Sequence, residues 1–335
     1  MRSRLLALIP FLALLGGVPG VPHLRAQQGQ EVDIEIGNDV ISVDVQVVNL
    51  LANVRDKKGV LINSLTKDDF ELYEDGQLQE IKYFTRQADL PLTIGLLVDT
   101  SISQQRLVDI ERQAGYRFFD KILRQKKDLA FLMSFDVDVE LLQDLTDSRT
   151  LLNEGLQTLE VQTGSFGVTP GPVPQSGRPP GTVMYDSIYL AASEMLKPQV
   201  GRKAVVLISD GNDFGSKLND DEAVEAALKS DVIIFAVRYF DREFYFRSGT
   251  MAGGGGSGAL RRLAQQTGGA TYEVSRKRKL DDILDEINEA IRNQYSIGYT
   301  PARDTSESGF REIELRVKRK GYKVQAREGY YPEAL

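Results

Sequence analysis

The 335-residue sequence contains no cysteine, no tryptophan and a single histidine, His23. The lack of cysteine excludes disulfides, thiol nucleophiles, cysteine-ligated zinc and iron–sulfur clusters. Positive charge is not in excess either, because 41 Lys and Arg stand against 48 Asp and Glu and give a formal net charge of −7. Dedicated nucleic-acid-binding proteins are normally basic, so we expect no nucleic-acid partner. With 41% hydrophobic residues, the composition is that of a folded protein with a real core.

The first 26 residues have the features of a secretory signal peptide. Arg2 and Arg4 precede an apolar run at 5–15, and Gly and Pro residues then lead to Ala26. A transmembrane helix needs about 20 apolar residues, so we expect cleavage after Ala26 and no stable membrane insertion afterwards. An uncleaved N-terminal anchor is the alternative. The signal peptide would direct the protein to the periplasm or the extracellular space. Its cleavage would remove His23, which leaves no histidine for Ser-His-Asp hydrolysis or zinc binding.

Three regions of different periodicity follow the signal peptide. Residues 27–89 alternate apolar and polar side chains between turns, which is typical of β-structure. Residues 90–294 alternate continuous apolar runs with amphipathic helical stretches, which predicts a doubly wound α/β domain with a mostly parallel sheet. Residues 295–335 return to the β pattern. Because neither β-rich segment is long enough to close a core alone, we predict one β-sandwich built from both, with the α/β domain inserted between them.

Oxygen-bearing side chains stand where the strands of the α/β domain meet their helices. Asp99, Ser101 and Ser103 follow the first buried strand, Asp210 follows a later one, and Thr182 directly precedes a helix. In such sheets, ligands bind at the carboxyl ends of the strands. Each residue alone could be a helix cap or a turn residue. Together they are an all-oxygen set that predicts a site for a hard divalent cation, with Mg²⁺ favoured and Mn²⁺ or Ca²⁺ as alternatives.

These five positions resemble the metal-ion-dependent adhesion site of von Willebrand factor type A (vWA) domains, and the resemblance covers about residues 90–294. It implies that the three hydroxyl side chains ligate the ion directly and that the two carboxylates act mainly through bound water. Ile102 departs from the small residue that relatives often carry, and we expect it to narrow the rim of the site.

The flanking segments resemble a subgroup of secreted bacterial vWA-related proteins described from acidobacteria. Its lead-in is similar to residues 54–59, 65–70 and 74–76, and its closing strands are similar to residues 295–299 and 327–331. This resemblance implies the architecture of nearly the whole mature chain, but no specific partner.

The expected function follows from the number of ligands. Three hydroxyls and two water-relayed carboxylates leave one position on the cation open, and neutral hydroxyls leave the cation strongly electrophilic. We therefore expect a metal-dependent, adhesion-type module that captures an Asp or Glu carboxylate of a protein partner, and not an enzyme. One alternative is a structural scaffold of an envelope complex that needs no metal. The other is a metal-assisted hydrolase, for which Glu243 is the only candidate base.

Two loops and two weaker motifs complete the interpretation. We expect the Pro- and Gly-rich loop 163–181 and the aromatic-rich loop 239–257 on the metal-bearing face, the second either as an interface anchor or packed on its own domain. The glycine run 253–258 formally matches a nucleotide-binding motif but does not directly follow a strand, so we interpret it as a flexible loop. Residues 210–221 match an EF-hand loop poorly. We also expect the metal residues on a solvent-facing strand end, where substitution costs little stability.

Overall fold

The structure is a computed structural model. It describes residues 30–36, 39–45, 47–86, 90–161, 181–247, 256–302 and 309–332. The predicted signal peptide with His23, and residues 163–180 of the first loop, lie outside the described residues. Within the described ranges, no helix is both long and apolar enough to cross a membrane.

A six-stranded sheet forms the centre of the α/β domain. Its strands in chain order are β7 (Leu92–Asp99), β8 (Leu129–Phe135), β9 (Val139–Thr146), β10 (Arg202–Ser209), β11 (Val232–Arg238) and β12 (Thr271–Glu273), after six earlier strands given below. Their order across the sheet is β12-β11-β10-β7-β8-β9, with β9 antiparallel and the other five parallel. Every residue of β7 is buried, which explains its continuous apolar sequence.

Helices cover both faces of this sheet. The described helices of the domain are α1 (Val108–Ile122), α2 (Arg149–Gln157), α3 (Met184–Leu190, continued by a π-helical turn at Ala191–Leu196), α4 (Asp220–Lys229), α5 (Arg242–Arg247), α6 (Gly256–Thr267) and α7 (Leu280–Arg292). The apolar sides of α1, α2 and α7 share one core with the sheet, and those of α3, α4 and α6 share a second core on its other face. The domain is therefore doubly wound, as predicted.

Two four-stranded antiparallel sheets form a β-sandwich. The strands before the α/β domain are β3 (Val48–Arg55), β4 (Phe70–Glu74), β5 (Gln77–Gln79) and β6 (Ile81–Thr85); those after it are β13 (Tyr295–Tyr299), β14 (Arg311–Val317), β15 (Lys323–Ala326) and β16 (Gly329–Tyr330). One sheet has the order β15-β3-β13-β6 and the other β16-β14-β4-β5. Strands β1 (Gln30–Ile36) and β2 (Asp39–Val45) form a separate hairpin. The predicted fold class, an α/β sheet inserted in a sandwich from both chain ends, is confirmed.

A buried ion-pair network joins three elements at the amino end of the central sheet. The Asp128 carboxylate, fully buried, accepts hydrogen bonds from Arg124 Nε at 2.9 Å, Arg292 Nη2 at 2.6 Å and the Leu92 amide at 3.0 Å. Burial alone would raise the pKa of Asp128, but hydrogen bonds from the two arginines outweigh it and hold the pKa well below its usual range. The network therefore fastens the start of β7 to the ends of α1 and α7.

Candidate metal centre

The structure gathers four of the five predicted residues into one hydrogen-bonded cluster. Strands β7 and β10 are parallel neighbours, so Asp99 and Asp210 reach the same carboxyl edge of the sheet. Ser101 directly precedes the short 3₁₀ turn Ile102–Gln104 that follows β7, and Ser103 lies in that turn; their hydroxyl oxygens are 3.0 Å apart. Ser103 Oγ donates to Asp210 Oδ2 at 2.8 Å, and the Ser101 amide donates to Asp99 Oδ1 at 3.0 Å.

Thr182 is not hydrogen-bonded into this cluster. It is buried, and its carbonyl oxygen accepts the Phe214 amide at 3.1 Å, which ties it to the loop that follows Asp210. Among the described residues, the Thr182 hydroxyl makes no hydrogen bond to the other four predicted side chains. The structure therefore places Thr182 at the expected edge without showing it as a ligand.

Both carboxylates are buried, which is contrary to our expectation of a solvent-facing strand end. Asp99 is 0% exposed and Asp210 is 2% exposed. Asp99 Oδ2 accepts the Ser209 hydroxyl at 2.5 Å, a partner that sequence reasoning missed although it is the last residue of its strand. Burial and then the nearby charge of Asp210 raise the pKa of Asp99 to about 7. Substitution of Asp99 is therefore not a neutral surface change.

The donors to Asp210 that the structure describes are uncharged. Besides Ser103, they are the Asn212 amide at 3.0 Å, Asn212 Nδ2 at 3.1 Å and the Tyr245 hydroxyl at 2.6 Å. Two buried carboxylates with uncharged donors, next to two hydroxyls, fit a divalent cation that would offset their mutual repulsion. In the part of the chain that the structure describes, no group of three or more His, Cys, Asp or Glu side chains could hold a metal ion. A cation here therefore depends on the hydroxyl oxygens as well.

Glu111 is a third buried carboxyl group near the cluster, and sequence reasoning missed it. It lies on α1 with 1% exposure, and neither of its side-chain oxygens has a hydrogen-bond partner among the described residues. Burial, then the charges of Asp99 and Asp210, raise its pKa well above the usual value. Its position on the buried stripe of an amphipathic helix was the available signal.

The segment after β11 is a short helix, α5, where the sequence predicted only a loop. Tyr245 of this helix donates to Asp210 and stacks on Phe240 with ring centroids 4.7 Å apart, while Phe244 meets Tyr245 edge-on at 5.3 Å. The aromatic cluster thus packs on its own domain. Phe246 is the exception, since it is 81% exposed.

Glu243, the candidate base of the hydrolase alternative, is engaged in ion pairs. It contacts Arg106 at 2.6 Å and Arg247 at 2.5 Å. The hydrogen bond from Arg106 is the main cause that lowers the pKa of Glu243. A carboxylate with a lowered pKa is a weak general base at neutral pH.

The glycine run ends in a packing contact beside the candidate site. Gly256 starts α6, and a Cβ added to it would lie 2.3 Å from the Gly211 carbonyl carbon and 2.5 Å from the Asp210 carbonyl oxygen. Gly211 itself has φ +87°, a conformation that favours glycine. The two glycines let α6 approach the strand end that presents Asp210. Residues 253–255 of the run lie outside the described part.

The acidic residues of the EF-hand-like stretch bind backbone and hydroxyl groups. Asp213 accepts the Ser216 hydroxyl at 2.6 Å and the Tyr185 amide at 3.2 Å. Asp186, a further carboxylate near Thr182, accepts the Lys217 amide at 3.0 Å. These contacts fasten the loop after Asp210 to the start of α3.

The strand order defines a doubly wound α/β sheet, and the cluster lies at the carboxyl edge of its central strands. No protein-family model matches the sequence, and no curated protein matches it. Among solved structures, the chain is similar to an aerotolerance-related membrane protein from Bacteroides fragilis, with 16% identity over 60% of this chain and 98% of that chain and a TM-score of 0.42.

Two further solved structures are similar. One is proximal thread matrix protein 1 from the mussel byssus, whose MIDAS (metal-ion-dependent adhesion site) motif is occupied by zinc. It has 14% identity over 65% of this chain and 50% of that chain, with a TM-score of 0.45. The SpRpn10 VWA domain has 12% identity over 59% of this chain and 95% of that chain, with a TM-score of 0.39. Because these identities and TM-scores are low, the interpretation of the site rests on this chain's own residues.

Proposed function

We propose that the protein is an exported, metal-dependent protein-binding module that captures an acidic side chain of a partner. The observation that carries the proposal is the cluster in which Ser101, Ser103 and Asp210 are linked by contacts of 3.0 and 2.8 Å beside the buried Asp99. Hydroxyl and carboxylate oxygens from two neighbouring strand ends are the ligands that Mg²⁺ and Mn²⁺ prefer.

The donor set also explains why the partner would be acidic. Ser101, Ser103 and Thr182 would hold the cation through neutral oxygens, and Asp99 and Asp210 would support it through water. Neutral ligands leave most of the ion's charge uncompensated, so an anionic oxygen is the favoured ligand at the remaining position. An Asp or Glu carboxylate of a protein partner provides that oxygen. The proposal assigns no catalytic step to this chain.

Export is the second part of the proposal. Its support is the basic start and the apolar run at 5–15 in the sequence. N-terminal sequencing of the exported protein should begin at or near Gln27. A mature chain that retained residues 5–15 would contradict this part of the proposal and leave the metal site untouched.

Metal titration tests the site directly. Asp99→Ala, and separately Ser101→Ala combined with Ser103→Ala, should abolish Mn²⁺ and Mg²⁺ binding in calorimetry. Asp109→Ala is the matched control, because it removes an exposed carboxylate on α1 and should bind like the wild type. Circular dichroism verifies that each variant is folded. Full cation affinity in a folded Asp99→Ala protein would refute the proposed site.

Partner binding is tested with the wild type and Asp99→Ala as baits for proteins of the native envelope. A partner of the proposed kind should bind the wild type, dissociate in chelator and fail to bind Asp99→Ala. A specific partner that binds both proteins equally in chelator would favour the scaffold alternative and overturn the metal-dependent function.

A further inference from the structure

Tyr245 occupies a position inside the candidate metal centre. Its hydroxyl donates to Asp210 Oδ2 at 2.6 Å, and the same oxygen accepts the Ser103 hydroxyl at 2.8 Å. Asn212 Nδ2 donates to the Tyr245 hydroxyl at 2.9 Å and to Asp210 Oδ1 at 3.1 Å. The phenol oxygen therefore completes a ring of contacts around a carboxylate that the site would need for its cation.

The helix that carries Tyr245 is held by contacts that a ligand could break. None of the six residues of α5 is buried. The ring of Tyr245 stacks on Phe240. Glu243 forms an ion pair with Arg106, and because Arg106 follows closely after Ser103, this pair links α5 to the turn that carries the two serines. The side chains of Arg106 and Glu243 are 54% and 45% exposed, and ion pairs this open to solvent contribute little.

We propose that Tyr245 is a built-in competitor of the metal centre, which α5 holds against Asp210 until a cation and a partner carboxylate displace it. This inference rests on the proposed function, since it concerns the same site. Its physical basis is that Asp210 Oδ2 has a limited number of lone pairs. While that oxygen accepts both the tyrosine and the serine hydroxyls, it is not free to bind a water molecule of the cation. Opening α5 would release the oxygen and uncover the site.

The hydroxyl of Tyr245 is the atom to remove. Tyr245→Phe keeps the ring that stacks on Phe240 but deletes the hydrogen bond to Asp210. Because a hydrogen bond to a charged group is stronger than one between neutral groups, we expect Mn²⁺ to bind about tenfold more tightly. The free Mn²⁺ concentration is measured by electron paramagnetic resonance during titration of the full chain.

Two further variants complete the experiment. Tyr73→Phe is the matched control, because Tyr73 donates to a carboxylate oxygen of Glu71 at 3.3 Å in the distant sandwich, and its Mn²⁺ affinity should equal that of the wild type. Glu243→Gln weakens the link between α5 and Arg106. It should raise the Mn²⁺ affinity by a smaller factor, and the increase should shrink at high salt.

The outcomes separate this inference from the function on which it rests. If Asp99→Ala abolishes Mn²⁺ binding and Tyr245→Phe strengthens it, both stand. If Asp99→Ala abolishes binding but Tyr245→Phe leaves it unchanged or weaker, Tyr245 is no competitor and the inference is overturned while the metal site stands. If Asp99→Ala binds Mn²⁺ like the wild type, the proposed function fails, and the inference fails with it.

Discussion

The buried carboxylate Asp99 makes stability depend on pH in a direction opposite to that of most acidic residues. Its pKa rises from 3.8 to about 7 in the folded protein, chiefly through burial and then through the charge of Asp210. The folded state therefore holds the proton more tightly than the unfolded chain does. The contribution of Asp99 to the free energy of unfolding is therefore fully present below about pH 4 and is lost as the pH rises through about 7.

The size of the effect follows from the pKa difference. A rise from 3.8 to about 7 corresponds to about 4 kcal/mol of unfolding free energy lost by pH 8 in metal-free protein. Asp99→Asn removes the titration but keeps a side chain of the same shape, whose oxygen still accepts the Ser101 amide. Glu111 is present in both the wild type and Asp99→Asn, so most of the effect of its titration cancels when their free energies of unfolding are subtracted.

Urea denaturation in the presence of chelator measures this difference. The unfolding free energy of the wild type minus that of Asp99→Asn should fall by about 4 kcal/mol between about pH 4 and about pH 8. Excess Mg²⁺ at the higher pH should restore the wild type and not the variant, because the cation replaces the proton as the compensating charge. A difference that stays flat with pH would refute the reasoning.

Three further predictions concern the framework of the site. Asp128→Asn should lower the unfolding free energy by about 3–5 kcal/mol in urea titration, because it leaves two arginines without their buried anion; a loss below about 1 kcal/mol would contradict the network's role. Gly256→Ala should weaken Mn²⁺ binding by moving α6 away from the strand end, whereas Gly258→Ala, with open space around it, should bind normally. Deletion of 295–335 should make residues 31–88 sensitive to limited proteolysis; a resistant segment would argue against a shared sandwich.

The spacing of apolar residues predicted most of the architecture, because the burial of a strand or helix face determines where apolar side chains occur in the sequence. The run of apolar residues in β7 is a strand buried on both faces, and the return of alternation after residue 294 marks the strands that complete the sandwich. On α1, Ile110 is 46% exposed whereas Glu111 is buried, although Ala114, Phe118 and Ile122 form the expected apolar side of the helix. A general helical period therefore did not single out the buried carboxyl group.

The sequence predicted that Asp99, the two serines and Asp210 would lie together, but it did not predict which side chains surround them or how deeply they are buried. Asp99 and the two serines were visible because their spacing is local, and Asp210 because parallel strand ends meet at one edge. Tyr245 was not visible as a neighbour of Asp210, since a six-residue helix has too few turns to show periodicity and its placement depends on tertiary contacts. The burial of Asp99 was also missed, because residue spacing carries no information on how tightly loops close over a strand end.

The insertion of one domain into another determines the order in which the chain is able to fold. The chain leaves the sandwich after Thr85 and returns at Tyr295, so that Ser296 pairs with Thr85 across the sheet. Strand β3 pairs only with β13 and β15 in its sheet, and both follow the inserted domain. Contacts of such long range are slow to form from an open coil, because closing the loop costs entropy. A folded α/β domain would shorten that loop to the gap between two neighbouring strands. Until then the early strands present unpaired edges, so the amino-terminal segment is the part most exposed to wrong pairing during synthesis.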